Sequence, residues 1–167
     1  MRIAVVVGNP KPASRTLNVA TALADLLAAE LSPDAGRLVV DLAEHAADLF
    51  DWGAPRLTEL TQQVASAGLI IAASPTYKAT YTGLLKAFFD RYGNNGLAGS
   101  VGVPLMTGAA PIHTLAVEVH LRPLLVELGA TVPTRGLYLT EPEFGELAAP
   151  IGRWADTAVP LLRQALV

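Results

Sequence analysis

Residues 68–73 read Gly-Leu-Ile-Ile-Ala-Ala (GLIIAA), an unbroken apolar run of the kind expected for a strand covered on both faces. Working outward, Leu57–Ala67 upstream carries helical spacing. Downstream, a loop from Ser74 to Thr80 leads into a second helical stretch at Gly83–Tyr92. The same alternation fills the rest of the chain. Ile3–Val7 is a short β-branched run, and after a polar loop Leu17, Ala20, Leu23, Leu27 and Leu31 lie on or near one face of a helix. Ser32-Pro33-Asp34-Ala35-Gly36 breaks that helix, and Arg37–Leu42 reads as the next strand. Val101–Met106 and Gly136–Leu139 are further strands, with Ile112–Leu128 and Trp154–Val167 as further helices. Strands alternating with helices imply βαβ units, hence a doubly wound α/β domain. Its five parallel strands are expected in the order 2-1-3-4-5, with helices on both faces. Ligands of such sheets sit beyond the C-terminal strand ends, so the loops after strands one, three and four are the candidate site.

Composition narrows the chemistry. The 167 residues fit one domain, 1–167, and are 51% hydrophobic and 16% charged. A net charge of −3 provides no basic field for nucleic acid and no polybasic membrane anchor. Apolar stretches such as Leu69–Ala73 are far too short to span a bilayer. Met1 runs straight into Arg2 and the first strand without a signal-peptide pattern, so the expected location is cytoplasmic. There are no cysteines, which removes thiolate metal sites and thiol redox chemistry. Any redox chemistry then belongs to a bound cofactor. His45 and His120 have no metal-spaced partner, His113 at a helix start is either a capping or packing residue or a contact to a bound cofactor, and Asp25, Asp41, Asp48 and Asp51 are scattered, so no metal site and no catalytic acid, base or nucleophile is assigned.

The first loop, Gly8-Asn9-Pro10-Lys11-Pro12-Ala13-Ser14-Arg15-Thr16, places hydroxyls and cations ahead of a helix. A helix N-terminus offers unpaired N–H groups and the positive end of a dipole, which suits a phosphate. The alternative is that Ser14 or Thr16 only caps the helix while Lys11 and Arg15 are solvated. Neither GxGxxG nor GxxxxGK[ST] is present, which disfavours a Rossmann or P-loop reading. The second loop, Ser74–Gly83, suits a planar heterocycle with polar edges, or is a proline-containing turn with Tyr77 and Tyr81 packed on helices. The third, Thr107-Gly108-Ala109-Ala110-Pro111, permits close backbone approach, as would an ordinary strand-to-helix turn.

These segments resemble a known family. GNPKPASRT (8–16) is similar to the GSPRxxSxS-type phosphate loop of NADPH-dependent FMN reductases, which are flavodoxin-like proteins. PTYKATYTGLLKAFFDR (75–91) looks like that family's PxYxxxxxGxLKxxxDR segment. TGAAPIHTLAVEVHLRPLLVELGA (107–130) resembles the TGGxxxHLLAxxxxLRPxLxxLGA stretch of reductases that partner alkanesulfonate monooxygenases. The resemblance covers the chain to about Gly136. It implies an NAD(P)H-dependent FMN reductase that supplies reduced FMN to a monooxygenase. Asn9, Lys11, Ser14, Arg15 and Thr16 would surround the FMN phosphate; Pro75, Thr76, Tyr77 and Lys78 would line ribityl and isoalloxazine; Thr107, Gly108 and Ala109 would meet the polar edge of the ring. Asn9 stands where the family usually has Ser, and Ala109 replaces the second Gly of TGG, two departures that bear on flavin affinity. No ribose-binding signature separates NADPH from NADH.

The resemblance leaves other readings beside it. A quinone, azo or chromate reductase uses the same cofactor. A flavodoxin-like electron carrier is disfavoured by Lys11, Arg15 and the small net charge, and a flavin-free regulatory domain is the remaining alternative. Two structural expectations complete the reading. The apolar stripe Leu84, Leu85, Phe88 and Phe89, with Lys86 and Asp90 one turn apart, predicts a homodimer or a tetramer of dimers. Pro123 cannot donate to the carbonyl of Val119, so a kink or π-bulge is expected near Val119, His120 and Leu121; the related reductases carry such a bulge there, at a subunit interface.

Overall fold

The computed structural model describes residues 1–166. Its sheet consists of β1 (Arg2–Val7), β2 (Gly36–Asp41), β3 (Leu69–Pro75), β4 (Val101–Gly108) and β5 (Leu137–Thr140). All pairings are parallel and the order is β2-β1-β3-β4-β5, as the alternation predicts. The helices are α1 (Arg15–Leu31), α2 (Pro55–Ala65), α3 (Gly83–Phe89), α4 (Arg122–Glu127) and α5 (Ala148–Ala165). None is long and apolar enough to cross a membrane among the described residues.

The unbroken apolar strands follow from a sheet with two buried faces. Ala4, Val6, Ile70 and Ala72 point into one core, with Leu57 and Val64 of α2, Leu85 and Phe88 of α3, and Leu125 of α4. The intervening Ile3, Val5, Val7, Leu69, Ile71 and Ala73 point into the other, with Leu23 and Leu27 of α1 and Ile151 and Leu162 of α5. Successive side chains of a strand alternate between faces, so with both faces covered every position must be apolar.

Three expectations change. The stripe on α3 does not await a partner chain: Leu85, Phe88 and Phe89 are fully buried in the chain's own core, and Leu84 is half-buried against it. The helix carries Tyr92 just beyond its end, edge-on to Phe88 with ring centroids 5.9 Å apart, and burial pushes the Tyr92 phenol above its ordinary pKa. The expected fourth helix is not continuous. A 3-10 turn at Pro111–His113 and a π-turn at Val117–Leu121 precede α4, and Arg122 N–H bonds the Val117 carbonyl five residues back. Pro123 removes one helical donor, and the ladder widens where the π-bulge was expected. The last helix starts six residues earlier than Trp154, at Ala148, taking in Pro150 near its start; Pro160 lies inside it. The expected end of that helix at Val167 lies outside the described residues.

A side-chain network holds the π-turn. Glu118 accepts from the backbone of Gly136 (2.6 Å) and from Arg122 Nε (3.1 Å). Arg122 donates to the carbonyls of Val132 (2.6 Å) and Thr134 (2.7 Å). A Cβ at Gly136 would run into Val117, so the close approach of the π-turn to β5 requires glycine there.

Candidate functional site

The sheet register brings the candidate loops together. Val7 pairs with Ala73, Pro75 with Thr107, and Gly108 with Thr140, so the chain segments that follow β1, β3, β4 and β5 emerge side by side at one edge. Polar residues buried in an otherwise apolar interior gather at that edge: Ser14, Thr16, Asp41, Ser74, Thr82 and Thr107. A buried polar group is costly without a partner, and each of these has one.

The loop after β1 is tied down on three sides. Gly8 donates to the Ala73 carbonyl (2.8 Å), its own carbonyl accepts from Thr82 Oγ1, and a Cβ there would collide with Leu85 of α3. Asn9 Oδ1 accepts from Lys11 N–H (2.9 Å), while Asn9 Nδ2 donates to Thr16 Oγ1 (3.2 Å). Thr16 and Thr107 share a buried hydroxyl bond at 2.8 Å, joining the loop to β4. Asp41, at the end of β2, accepts from Ala13 N–H (3.1 Å), where the backbone has a positive φ of 50°. Ser14 then caps α1, its hydroxyl accepting from Leu17 N–H (3.2 Å). The first-turn N–H groups of Arg15 and Thr16 have no helical acceptor available, as at any helix start. Donors and a dipole end therefore face the space in front of α1.

The loop after β3 is organised differently. Ser74 Oγ accepts from Thr82 N–H (3.0 Å), and Thr82 caps α3 by accepting from Leu85 N–H (3.2 Å). Between them Tyr77 and Thr80 exchange backbone bonds of 2.9 and 3.2 Å across Lys78 (φ 52°) and Ala79 (φ 68°). Positive φ at both central positions is the geometry of a type I′ turn, ordinarily built from Asn and Gly.

One cleft of about 460 Å³ lies between these loops, within the size range of small-molecule sites. Asn9, Lys11, Ser14, Arg15, Thr16, Pro75, Thr76, Tyr77, Thr107, Gly108 and Ala109 all line it. Lys78 is the exception: the turn reverses there, and its exposed side chain is outside the cleft lining. His113 is exposed on the 3-10 turn and also outside the lining. Ala13 and Asn18 join the lining from the first loop and α1, and Glu141 and Phe144 join it from the turn after β5. Glu141 and Phe144 carry no local motif; the signal for them was topological, since in a parallel sheet the end of β5 lies on the same edge as the other three. Tyr138 was missed as well. Its hydroxyl accepts from Thr76 Oγ1 and donates to the Ala110 carbonyl, both at 3.4 Å, and a side chain at Gly108 would strike it. Among the described residues no three His, Asp or Glu side chains gather as a metal site.

A doubly wound parallel sheet with a donor-rich cleft at its topological switch point defines a flavodoxin-like nucleotide-binding protein. Residues 1–143 match the NADPH-dependent FMN reductase family, and the chain belongs to it. It is thus an oxidoreductase whose cofactors are FMN and NAD(P)H. Over 171 aligned residues it is 32% identical to FMN reductase (NADPH) of Pseudomonas aeruginosa, covering 95% of this chain and 90% of that one. A shorter alignment to FMN reductase (NADPH) of Escherichia coli is 39% identical over 84 residues, and spans 50% of this chain and 44% of its relative. The apo structure of an NADH:FMN oxidoreductase (EMOB) superposes with a TM-score of 0.87 at 28% identity, covering 99% of this chain and 90% of that one.

Proposed function

We propose that this protein uses NAD(P)H to reduce FMN bound in the cleft and releases the reduced flavin to a separate flavin-dependent monooxygenase. The observation that carries the reading is the donor set in front of α1: first-turn N–H groups, the Ser14 and Thr16 hydroxyls, and the cations Lys11 and Arg15, all on one cleft. This set suits the phosphate that distinguishes FMN from riboflavin. Pro75, Thr76 and Tyr77 would flank the ribityl chain and ring, and Thr107, Gly108 and Ala109 would face the polar edge of the ring. Lys78 drops out of this assignment, and Tyr138 enters it as the residue that holds Thr76 against the loop after β4. Bound FMN supplies the hydride-accepting chemistry. The chain's own part is to grip the phosphate, order the ring against the nicotinamide and limit water.

Support for release comes from the third segment's resemblance to sulfonate-system reductases, and from Asn9 and Ala109, which depart from the family pattern in the first and third loops. NADPH and NADH both stand as donors, since relatives named for each are similar. Assembly as a homodimer or tetramer is supported by Ile112 and Leu115, exposed at 81% and 71%, and by exposed Val119 and Val126 around the π-turn, rather than by α3. A cytoplasmic location accords with reduced flavin being handed on inside the cell.

The test is anaerobic and steady-state kinetics with added free FMN. NAD(P)H oxidation is expected to saturate with FMN and to reveal a finite Michaelis constant, and FMN to bind with a micromolar dissociation constant, a grip of about −8 kcal/mol. Protein that keeps a full complement of FMN through dialysis and ignores added flavin would instead be a reductase of quinones or azo compounds with a fixed flavin.

A further inference from the structure

Arg15, one of the cations expected at the phosphate, is already held by another anion. Its Nη2 lies 2.7 Å from Glu141 Oε1, and its guanidinium sits 5.3 Å from the centroid of the Phe144 ring. Both contacts come from one turn, Glu141–Gly145, and both residues line the same cleft as Ser14 and Thr16. That turn is itself fixed. Thr140 N–H and Oγ1 both donate to Glu143 Oε2, at 2.8 and 2.9 Å, and Phe144 packs on the core shared with α1 and α5. The ion pair is exposed by contrast, with side-chain accessibilities of 65% for Arg15 and 46% for Glu141. A wet pair of this kind exchanges readily, whereas a phosphate is a strong multidentate partner for a guanidinium. A phosphate that draws Arg15 away leaves Glu141 an uncompensated carboxylate inside the cleft that holds the new negative charge.

We infer that Glu141 competes with the FMN phosphate for Arg15, and so sets the flavin grip at a level that permits release. This rests on the reading of the cleft as an FMN phosphate site. Glu141 acts through Arg15 and touches no reacting atom; it tunes affinity. The opposite possibility, that Glu141 aims Arg15 at the phosphate, predicts the opposite sign.

The experiment is a fluorescence titration of FMN and of riboflavin against four proteins: the natural chain, Glu141→Gln, Arg15→Ala and the double variant. The expected result is a Kd for FMN lowered roughly three- to fivefold in Glu141→Gln, the scale of an exposed ion pair. Riboflavin should be unchanged, and the gain should vanish in the Arg15→Ala background. The Michaelis constant for FMN should fall with the Kd. Weaker FMN binding in Glu141→Gln overturns the competition. So does a gain shared by riboflavin, or one that persists without Arg15 and is then plain charge repulsion. If Arg15→Ala weakens FMN selectively while Glu141→Gln changes nothing, the competition alone falls. If Arg15→Ala weakens FMN and riboflavin alike, the phosphate reading falls and takes the competition with it.

Discussion

The loops after β1 and β3 border the same cleft but are built on different principles. The first is held by its own side chains: Asn9 to Thr16, Thr16 to Thr107 and Ala13 to Asp41, with Gly8 pressed onto α3. The second is anchored near its start, through Ser74 and Thr76, and at its end, through Thr82. Its middle is a tight turn in which Lys78 and Ala79 both carry positive φ without glycine, and Tyr77 is half exposed. The contrast teaches that the end of the cleft in front of α1, proposed to take the phosphate, is held by a side-chain network, while the loop after β3 places two consecutive strained residues in an exposed turn. A preorganised phosphate grip loses little entropy on binding, and strained backbone beside a ligand site persists because its surroundings hold it.

The largest expected effect tests the rigid side. Gly8→Ala places a methyl against Leu85 where neither backbone has room, and should lower the unfolding free energy by about 3 kcal/mol. Urea denaturation measures it, and a cost below about 1 kcal/mol would mean that the loop can shift and is not the fixed element described. Next, Arg15→Ala would remove the proposed charge-assisted contact to the phosphate, worth about 1.5–3 kcal/mol, so FMN should weaken about tenfold while riboflavin binding stays the same.

Two smaller effects sharpen the contrast. Thr107→Val keeps the shape but breaks the buried hydroxyl bond to Thr16, with an expected loss of about 1–2 kcal/mol in thermal or urea unfolding. The same substitution logic inverts in the second loop. Ala79→Gly relieves a left-handed residue that costs about 1–2 kcal/mol, against about 0.5–1 kcal/mol of added unfolded-state entropy. A net stabilisation of about 0.5 kcal/mol is expected from this change. Destabilisation by the usual alanine-to-glycine amount would show that the turn is unstrained.

Much of the site was readable in advance because its residues cluster in short segments next to strands. GNPKPASRT contributes Asn9, Lys11, Ser14, Arg15 and Thr16 to the cleft, and Thr107–Ala109 arrive together for the same reason. Lys78 lies outside the cleft lining because its segment reverses at a type I′ turn with no Asn-Gly to announce it. The α3 stripe was misread because a helix apolar on a broad arc looks alike whether its own sheet or a second chain covers it.

By itself, then, the sequence determined the alternating elements and the place of the π-turn, because periodicity, glycine and proline act over a few residues, while the sheet order followed from the connection rules of alternating strands and helices. Runs such as GLIIAA, bounded by turn residues and alternating with helical segments, fit strands between two helical layers, and Pro123 must cost its helix a donor wherever it is placed. What only the tertiary structure decided is which distant groups meet. Glu141 reaches Arg15 across 126 residues, Thr107 reaches Thr16 across 91, and Asp41 reaches Ala13 across 28. No local pattern encodes those meetings. They follow from parallel strands ending at one edge, where side chains separated by most of the chain must satisfy one another's charges and hydrogen bonds.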